Sequence, residues 1–215
     1  MKILNLYSGI GGNRKLWDNE HEITAVEYNP DIAKIYKDFF PTDNVIITDA
    51  HQYLLENYKE YDFIWASPPC PTHSRTQIMS VLSDSKNAGC QNRVAIYPDI
   101  SLYQEIILLK NFAKKDTKWV IENVIPYYDP LIKPSVKINR HYFWSNFYIE
   151  NKNIKENRKH HGIMTGNETI YDFNISKYNI KNKRKILRNL VNSELGKYIL
   201  DQAMNIDNSK QLDLF

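Results

Sequence analysis

Over the first 124 residues, short apolar runs alternate with segments of helical spacing, and this rhythm most constrains the fold. Ile3–Tyr7, Ile23–Glu27, Val45–Thr48, Phe63–Ala66 and Trp119–Asn123 read as strands. Between them, Asn13–Asn19, Asp31–Phe39, His51–Tyr58 and Ile100–Ala113 read as helices. A strand followed by a helix of this length can return only as a parallel neighbour, because antiparallel partners need no such crossover. The expected architecture is therefore an α/β sheet, mostly parallel and wound on both faces by helices. Asn29-Pro30-Asp31 carries N-cap chemistry for the second helix. After Val124 the rhythm changes: Tyr142–Ile149 fits a strand or hairpin arm, 151–183 has no clean period, and Ser193–Asn205 fits a helix with Ser193 as its cap. No repeat is present.

The chain has 215 residues, enough for one domain with a full core. No apolar run approaches the 18 residues of a membrane span. The N-terminus turns polar too soon for a secretory signal and reads as a strand that starts the fold at once. Two cysteines, Cys70 and Cys90, cannot make a disulfide framework or a four-cysteine zinc site. These features point to a reducing, cytoplasmic setting, and the Asn, Lys and Ile richness to an AT-rich bacterial or phage genome. The net charge of +3 is uneven: residues 151–190 hold ten Lys or Arg against three acids, a local +7. A basic segment on a mildly acidic body suits a polyanion.

Three strand ends carry polar residues in register. Gly9-Ile10-Gly11-Gly12 follows the first strand, Glu27 ends the second and Asp49 the third. Glycines let a ligand approach the backbone, and an acid at the second strand end takes both hydroxyls of a ribose. The three together describe a nucleoside pocket. No lysine follows the glycines, so a triphosphate cradle is not expected. The fourth strand ends at Ser67-Pro68-Pro69-Cys70-Pro71, a thiol on a proline-stiffened turn at the end of the sheet where open α/β folds place their chemistry. Glu122 ends the fifth strand, a natural neighbour of the fourth, and is a candidate acid–base partner for that thiol.

With these residues in place the chain resembles the cytosine-C5 DNA methyltransferases, which use S-adenosylmethionine. Tyr7-Ser8-Gly9-Ile10-Gly11-Gly12 is similar to the family's first motif, Glu27-Tyr28 to its acid-plus-aromatic second and Asp49 to its third. Pro68-Pro69-Cys70 resembles the Pro-Cys nucleophile motif, and Glu122-Asn123-Val124, about 50 residues on, the Glu-Asn-Val motif. Arg188-Asn189-Leu190-Val191-Asn192 resembles the motif that closes the cofactor pocket. The resemblance implies a Rossmann-like methyltransferase fold with a much reduced target-recognition region. It implies Cys70, Glu122 and Arg140 as catalytic residues. It assigns Tyr7, Gly9, Ile10, Gly12, Glu27, Tyr28, Asp49, Ala50, Pro69 and Asn189 to the cofactor, and no metal. Cys70 would add to C6 of a flipped-out cytosine, its thiol pKa lowered by a helix N-terminus or by Arg75. Glu122 would bond the N3/N4 edge. Arg140 would reach the cytosine O2, with His141 as the rival for that role.

The chain also departs from the pattern. Asn5 replaces an Asp and Pro71 a Gln, and a single arginine stands where a Gln-x-Arg-x-Arg motif is usual. Only about 45 residues separate Arg140 from the last motif. The expected division is a catalytic domain at 1–149, a basic recognition segment at 150–185, a returning helix at 186–206 and a tail at 207–215. Tyr171, Phe173 and Tyr178 are the candidate stacking or wedge residues of the small reader. The polar stretch Arg75–Asp99 matches the family's mobile catalytic loop. Gln211-Leu212-Asp213-Leu214-Phe215 resembles a bacterial sliding-clamp binding motif. Expected partners are thus double-stranded DNA and the clamp, with the chain as a monomer away from membranes. Two other readings stay open: methylation of cytosine in RNA or a free nucleotide, and a non-catalytic DNA-binding relative.

Overall fold

The computed structural model describes residues 1–75, 97–155 and 169–204. Its sheet has seven strands in the order β3-β2-β1-β4-β5-β7-β6. They are β1 (Lys2–Leu6), β2 (Glu22–Glu27), β3 (Asn44–Ile47), β4 (Phe63–Ala66), β5 (Lys118–Val124), β6 (Val136–Ile138) and β7 (His141–Ser145). The first five run parallel, and β7 returns antiparallel to β5 with β6 beyond it. The central strands are buried on both faces, as continuous apolar runs such as Phe63-Ile64-Trp65-Ala66 require.

Successive residues of each strand point to opposite faces and build two core layers. On one face Ile3, Phe63, Trp65, Val120 and Phe143 pack with Leu195, Ile199 and Leu200 of the last helix, α5 (Ser193–Met204). On the other, Leu4, Leu6, Ile64 and Ile121 pack with Leu54 of α2 (Ala50–Asn57) and with Leu102, Ile106 and Leu109 of α3 (Ser101–Phe112). At the β3 edge, Tyr36 and Phe40 at the end of α1 (Pro30–Phe39) meet Ile170, Phe173, Ile175 and Leu187. The last of these lies on the short helix α4 (Lys183–Arg188). Ile170 and Phe173 belong to the two-residue strands β8 (Thr169–Ile170) and β9 (Phe173–Asn174).

Caps fix where the helices start. The Asn29 side chain accepts from the Asp31 and Ile32 N–H groups at 2.9 and 3.2 Å, and Pro30 takes the first helical position. Asp49 caps α2 through the Gln52 N–H at 2.8 Å. At α5 the cap is Asn192, whose side chain accepts from the Glu194 N–H at 2.9 Å, so Ser193 is the first helical residue and not the cap. The segment read as a helix over Asn13–Asn19 is a single 3-10 turn, Asn13–Leu16. It stops because Arg14 and Asn13 turn inward. Arg14 is buried against Asp43 and the Trp17 carbonyl, and Asn13 trades amide hydrogen bonds with Asn5 at 2.8 and 3.3 Å. That amide pair is the role of Asn5 at the position where an Asp is usual. Helix α5 lies so close to this turn that a Cβ on Gly196 would stand 2.3 Å from the Asn13 carbonyl oxygen.

Candidate active site

A cleft of about 1530 Å³ opens along the C-terminal ends of β1, β2, β4 and β5. All thirteen site residues named from the sequence line it. Its two ends are built differently.

One end is the turn after β1. The chain leaves the sheet through left-handed backbone at Tyr7 (φ 55°), Gly9 (φ 54°) and Gly11 (φ 87°). This conformation is cheap for glycine and costs an L-residue such as Tyr7 roughly 1–2 kcal/mol. The turn is pinned to β2, with the Ser8 N–H donating to the Val26 carbonyl at 3.1 Å and the Gly9 N–H to the Glu27 carboxylate at 3.0 Å. The Asn29 N–H donates to the other Glu27 oxygen at 2.9 Å. Burial raises the Glu27 pKa, and these backbone donors oppose the rise. Two donors leave a carboxylate with further lone pairs for a diol. Tyr28 stands exposed at the rim, while Ile10 and Ala50 are buried beneath the wall. Gly12 touches the chain between α4 and α5, where a Cβ would fall 2.5 Å from the Val191 carbonyl oxygen. Asn189 closes the cleft on that side.

The other end holds the thiol. Pro68 is locked to β5 by the Asn123 side chain, which donates to the Pro68 carbonyl at 3.0 Å. The Cys70 carbonyl accepts from the His73 and Ser74 N–H groups, both at 3.0 Å. Pairing of Ala66 with Ile121 brings Glu122 to the mouth beside this turn. Glu122 is buried, with the His141 Nε2 3.5 Å from its carboxylate. Arg140 and His141 sit at the β6–β7 turn, made possible by left-handed Asn139. Arg140 is exposed and His141 half-buried, and both line the cleft.

The thiol's electrostatics correct one expectation. Burial, and then the charge of Glu122, push the Cys70 pKa up, with Lys185 opposing. Arg75 does not lower it, because its side chain is exposed and its Nε donates to the Pro126 carbonyl at 3.3 Å. Of the aromatic residues named as stacking or wedge candidates, Phe173 is placed otherwise, while Tyr171 and Tyr178 are partly exposed. Phe173 is fully buried, edge-on to Phe39 with centroids 4.8 Å apart, because the β8–β9 hairpin needs an apolar foot on α1. Tyr178 donates to Asp38 at 2.9 Å, and Tyr171 is held in a left-handed turn. The loop interior at 76–96, including Cys90, and the tail 211–215 lie outside the described residues.

Some lining residues were not singled out as site residues. Lys181, Lys185 and Arg188 bring the basic segment onto the same cleft as Cys70 and Arg140. The charge run signals them in sequence, though not the side they face. Ser8 lines the glycine turn with a buried hydroxyl that has no hydrogen-bond partner among the described residues. No group of metal-ligating side chains occurs among the described residues, and no helix there is long and apolar enough to cross a membrane.

Comparison with known proteins places these features. A curated relative, the tRNA (cytosine(38)-C(5))-methyltransferase of Spodoptera frugiperda, is 35% identical over 80 residues. That match covers 34% of this chain and 24% of the relative, so the chain spans about a quarter of the enzyme it matches. Among solved structures, a triply substituted DNMT2 from Spodoptera frugiperda has 27% identity and a TM-score of 0.36, covering 57% of this chain and 35% of that one. A TehB-like SAM-dependent methyltransferase from Corynebacterium glutamicum has 15% identity and a TM-score of 0.34, covering 57% and 54%. Residues 1–124, more than half of the chain, match the C-5 cytosine-specific DNA methylase model. The chain belongs to that family, whose methyl donor is S-adenosylmethionine.

Proposed function

We propose that the chain methylates C5 of cytosine in duplex DNA at a short site, through a covalent Cys70–C6 adduct on a flipped-out base. The observation that carries this reading is the shared cleft, with the glycine turn and Glu27 at one end and Cys70 and Glu122 at the other. The residues fit the donor. The Glu27 carboxylate keeps lone pairs for ribose hydroxyls, Asp49 and Ala50 line the adjoining wall, and the bare glycine backbone lines the same space. When bound there, S-adenosylmethionine supplies an electrophilic methyl group. The protein has to make cytosine C5 a nucleophile. Addition of the Cys70 thiolate to C6 does this by turning the C5–C6 double bond into an enamine. Glu122 takes up the N3/N4 edge and stabilises the charge that develops on the ring. Loss of the C5 proton to water, with the C5–H electron pair re-forming the C5–C6 double bond as the Cys70–C6 bond breaks, restores the aromatic base and the thiolate. Arg140 is assigned to the cytosine O2.

A second reading has a specific observation behind it: the curated relative acts on tRNA. The test is tritiated methyl transfer with duplex DNA, tRNA and dCMP as parallel acceptors, and Cys70→Ala as control. Label in DNA as 5-methylcytosine, lost in Cys70→Ala, is the expected result. Label only in tRNA or dCMP keeps the chemistry and replaces the acceptor. Donor binding without any transfer favours a non-catalytic nucleic-acid-binding protein.

A further inference from the structure

Behind the wall of the donor end lies a carboxylate that the chemistry above does not use. Glu105 of α3 is fully buried. Its Oε1 accepts from the Tyr7 hydroxyl and from the His51 Nδ1–H, the latter at 3.0 Å. Its Oε2 has no partner among the described residues. Burying a carboxylate is expensive, and an apolar side chain at this helix position would pack the layer without that cost.

What the carboxylate gains is a three-way tie. Tyr7 is the left-handed residue that swings the glycine turn off β1, and it lines the cleft. His51 follows Ala50 in the first turn of α2, and Ala50 lines the cleft too. A single oxygen on a third element therefore fixes two pieces of the donor wall that are 44 residues apart in sequence. Without it, the strained Tyr7 backbone has one restraint fewer against relaxing. The ties also act on the charges: the bond to Glu105 raises the His51 pKa, while burial raises that of Glu105 and its bonds to His51 and Tyr7 oppose the rise.

We propose that Glu105 is a positioning residue of the methyl-donor site, holding Tyr7 and the first turn of α2 where the donor meets them. It touches neither the donor nor the reacting base. The inference rests on the donor site assigned above.

The test separates positioning from general packing. Glu105→Leu removes the oxygen that makes both ties and leaves an apolar side chain in the buried layer. The expected result is a Kd for S-adenosylmethionine, by calorimetry on the full chain, raised about tenfold, which is about 1.4 kcal/mol. At saturating donor, kcat and the KM for the nucleic-acid acceptor stay within about twofold of wild type. A merely structural role lowers kcat through the folded fraction and leaves donor affinity per folded molecule alone; that result overturns the proposal, as does an unchanged Kd. If Glu105→Leu does not fold, His51→Ala decides. It removes only the partly exposed arm of the tie, and the donor Kd is expected to rise severalfold; no rise overturns the proposal. Calorimetry needs no acceptor, so an error in the acceptor leaves the inference standing. A wild-type chain that binds no donor overturns the donor site and this inference with it.

Discussion

Gly12→Ala tests how the last motif closes the donor pocket. The backbone of Gly12 is ordinary right-handed (φ −56°, ψ −49°), so alanine adopts it without strain. By restricting the unfolded chain, the substitution alone stabilises by about 0.4–1 kcal/mol. Against that, the new Cβ would stand 2.5 Å from the Val191 carbonyl oxygen and 3.0 Å from the Leu190 Cδ2. Ordinary contact begins near 3.4 Å, so the Leu190–Val191 backbone must retreat by nearly 1 Å. Overpacking of this kind costs about 1–3 kcal/mol. The net is a loss of about 1–2 kcal/mol, or roughly 2–8 °C in Tm for a chain of this size. Because Arg188, Asn189 and Val191 line the cleft, the same retreat opens the donor site. Donor Kd is expected to rise about tenfold, out of proportion to the stability loss. Differential scanning fluorimetry and calorimetry with S-adenosylmethionine measure both. A Tm at or above wild type with unchanged Kd would refute the idea that the 188–191 segment is seated on the glycine turn.

Other consequences are as direct. Asp43→Asn leaves the buried Arg14 guanidinium without its carboxylate partner; breaking such a pair costs about 3–5 kcal/mol, roughly 10 °C in Tm. A melt within 2 °C of wild type would show that Arg14 is not charged-paired as drawn. The Cys70 thiol pKa is raised, so iodoacetamide alkylation at neutral pH should be slower than for an exposed thiol and should climb with pH. Glu122→Gln removes a charge that raises that pKa, so the alkylation curve should move to lower pH; a shift to higher pH would contradict the placement of Glu122 beside the sulfur. Nucleic-acid affinity should fall steeply between 50 and 200 mM salt, because few base edges are within reach of so short a reader. Lys185→Ala should make that fall shallower, whereas parallel salt plots for variant and wild type would remove α4 from the interface.

The alternating layers were legible because strands buried on both faces leave continuous apolar runs, as in Phe63–Ala66 and Val120–Ile121. Glu27, Asp49, Cys70 and Glu122 were legible because topology alone puts strand ends together. Properties that depend on three-dimensional neighbours were not. Phe173 read as an exposed wedge in a polar stretch, yet it is the foot of a hairpin on α1, and no local period marks a two-residue strand. The thiol read as activated because a helix N-terminus or Arg75 was expected beside it. The fold instead buries the sulfur, brings up Glu122 from another strand and directs Arg75 to a carbonyl. The tie between Glu105 and Tyr7 spans 98 residues and involves a helix position that reads simply as polar.

The raised thiol and the basic wall bear on one question, which is when the nucleophile becomes available. In the free chain, burial and the Glu122 charge push the thiol pKa up and so disfavour the thiolate, the form that adds to C6. On the proposed reading, a cytosine seated in the cleft engages Glu122 through its N3/N4 edge. The charge that raised the thiol pKa is then spent on the base, while Lys185 remains to favour the thiolate. Activation in this scheme follows base binding and does not precede it. The reagent pair that distinguishes the two orders is alkylation of Cys70 with and without an acceptor oligonucleotide whose target cytosine is replaced by an abasic site. The abasic oligonucleotide fills the basic wall without touching Glu122. If it alone accelerates alkylation, phosphate binding rather than the base edge governs the thiol, and the role given to Glu122 here is wrong.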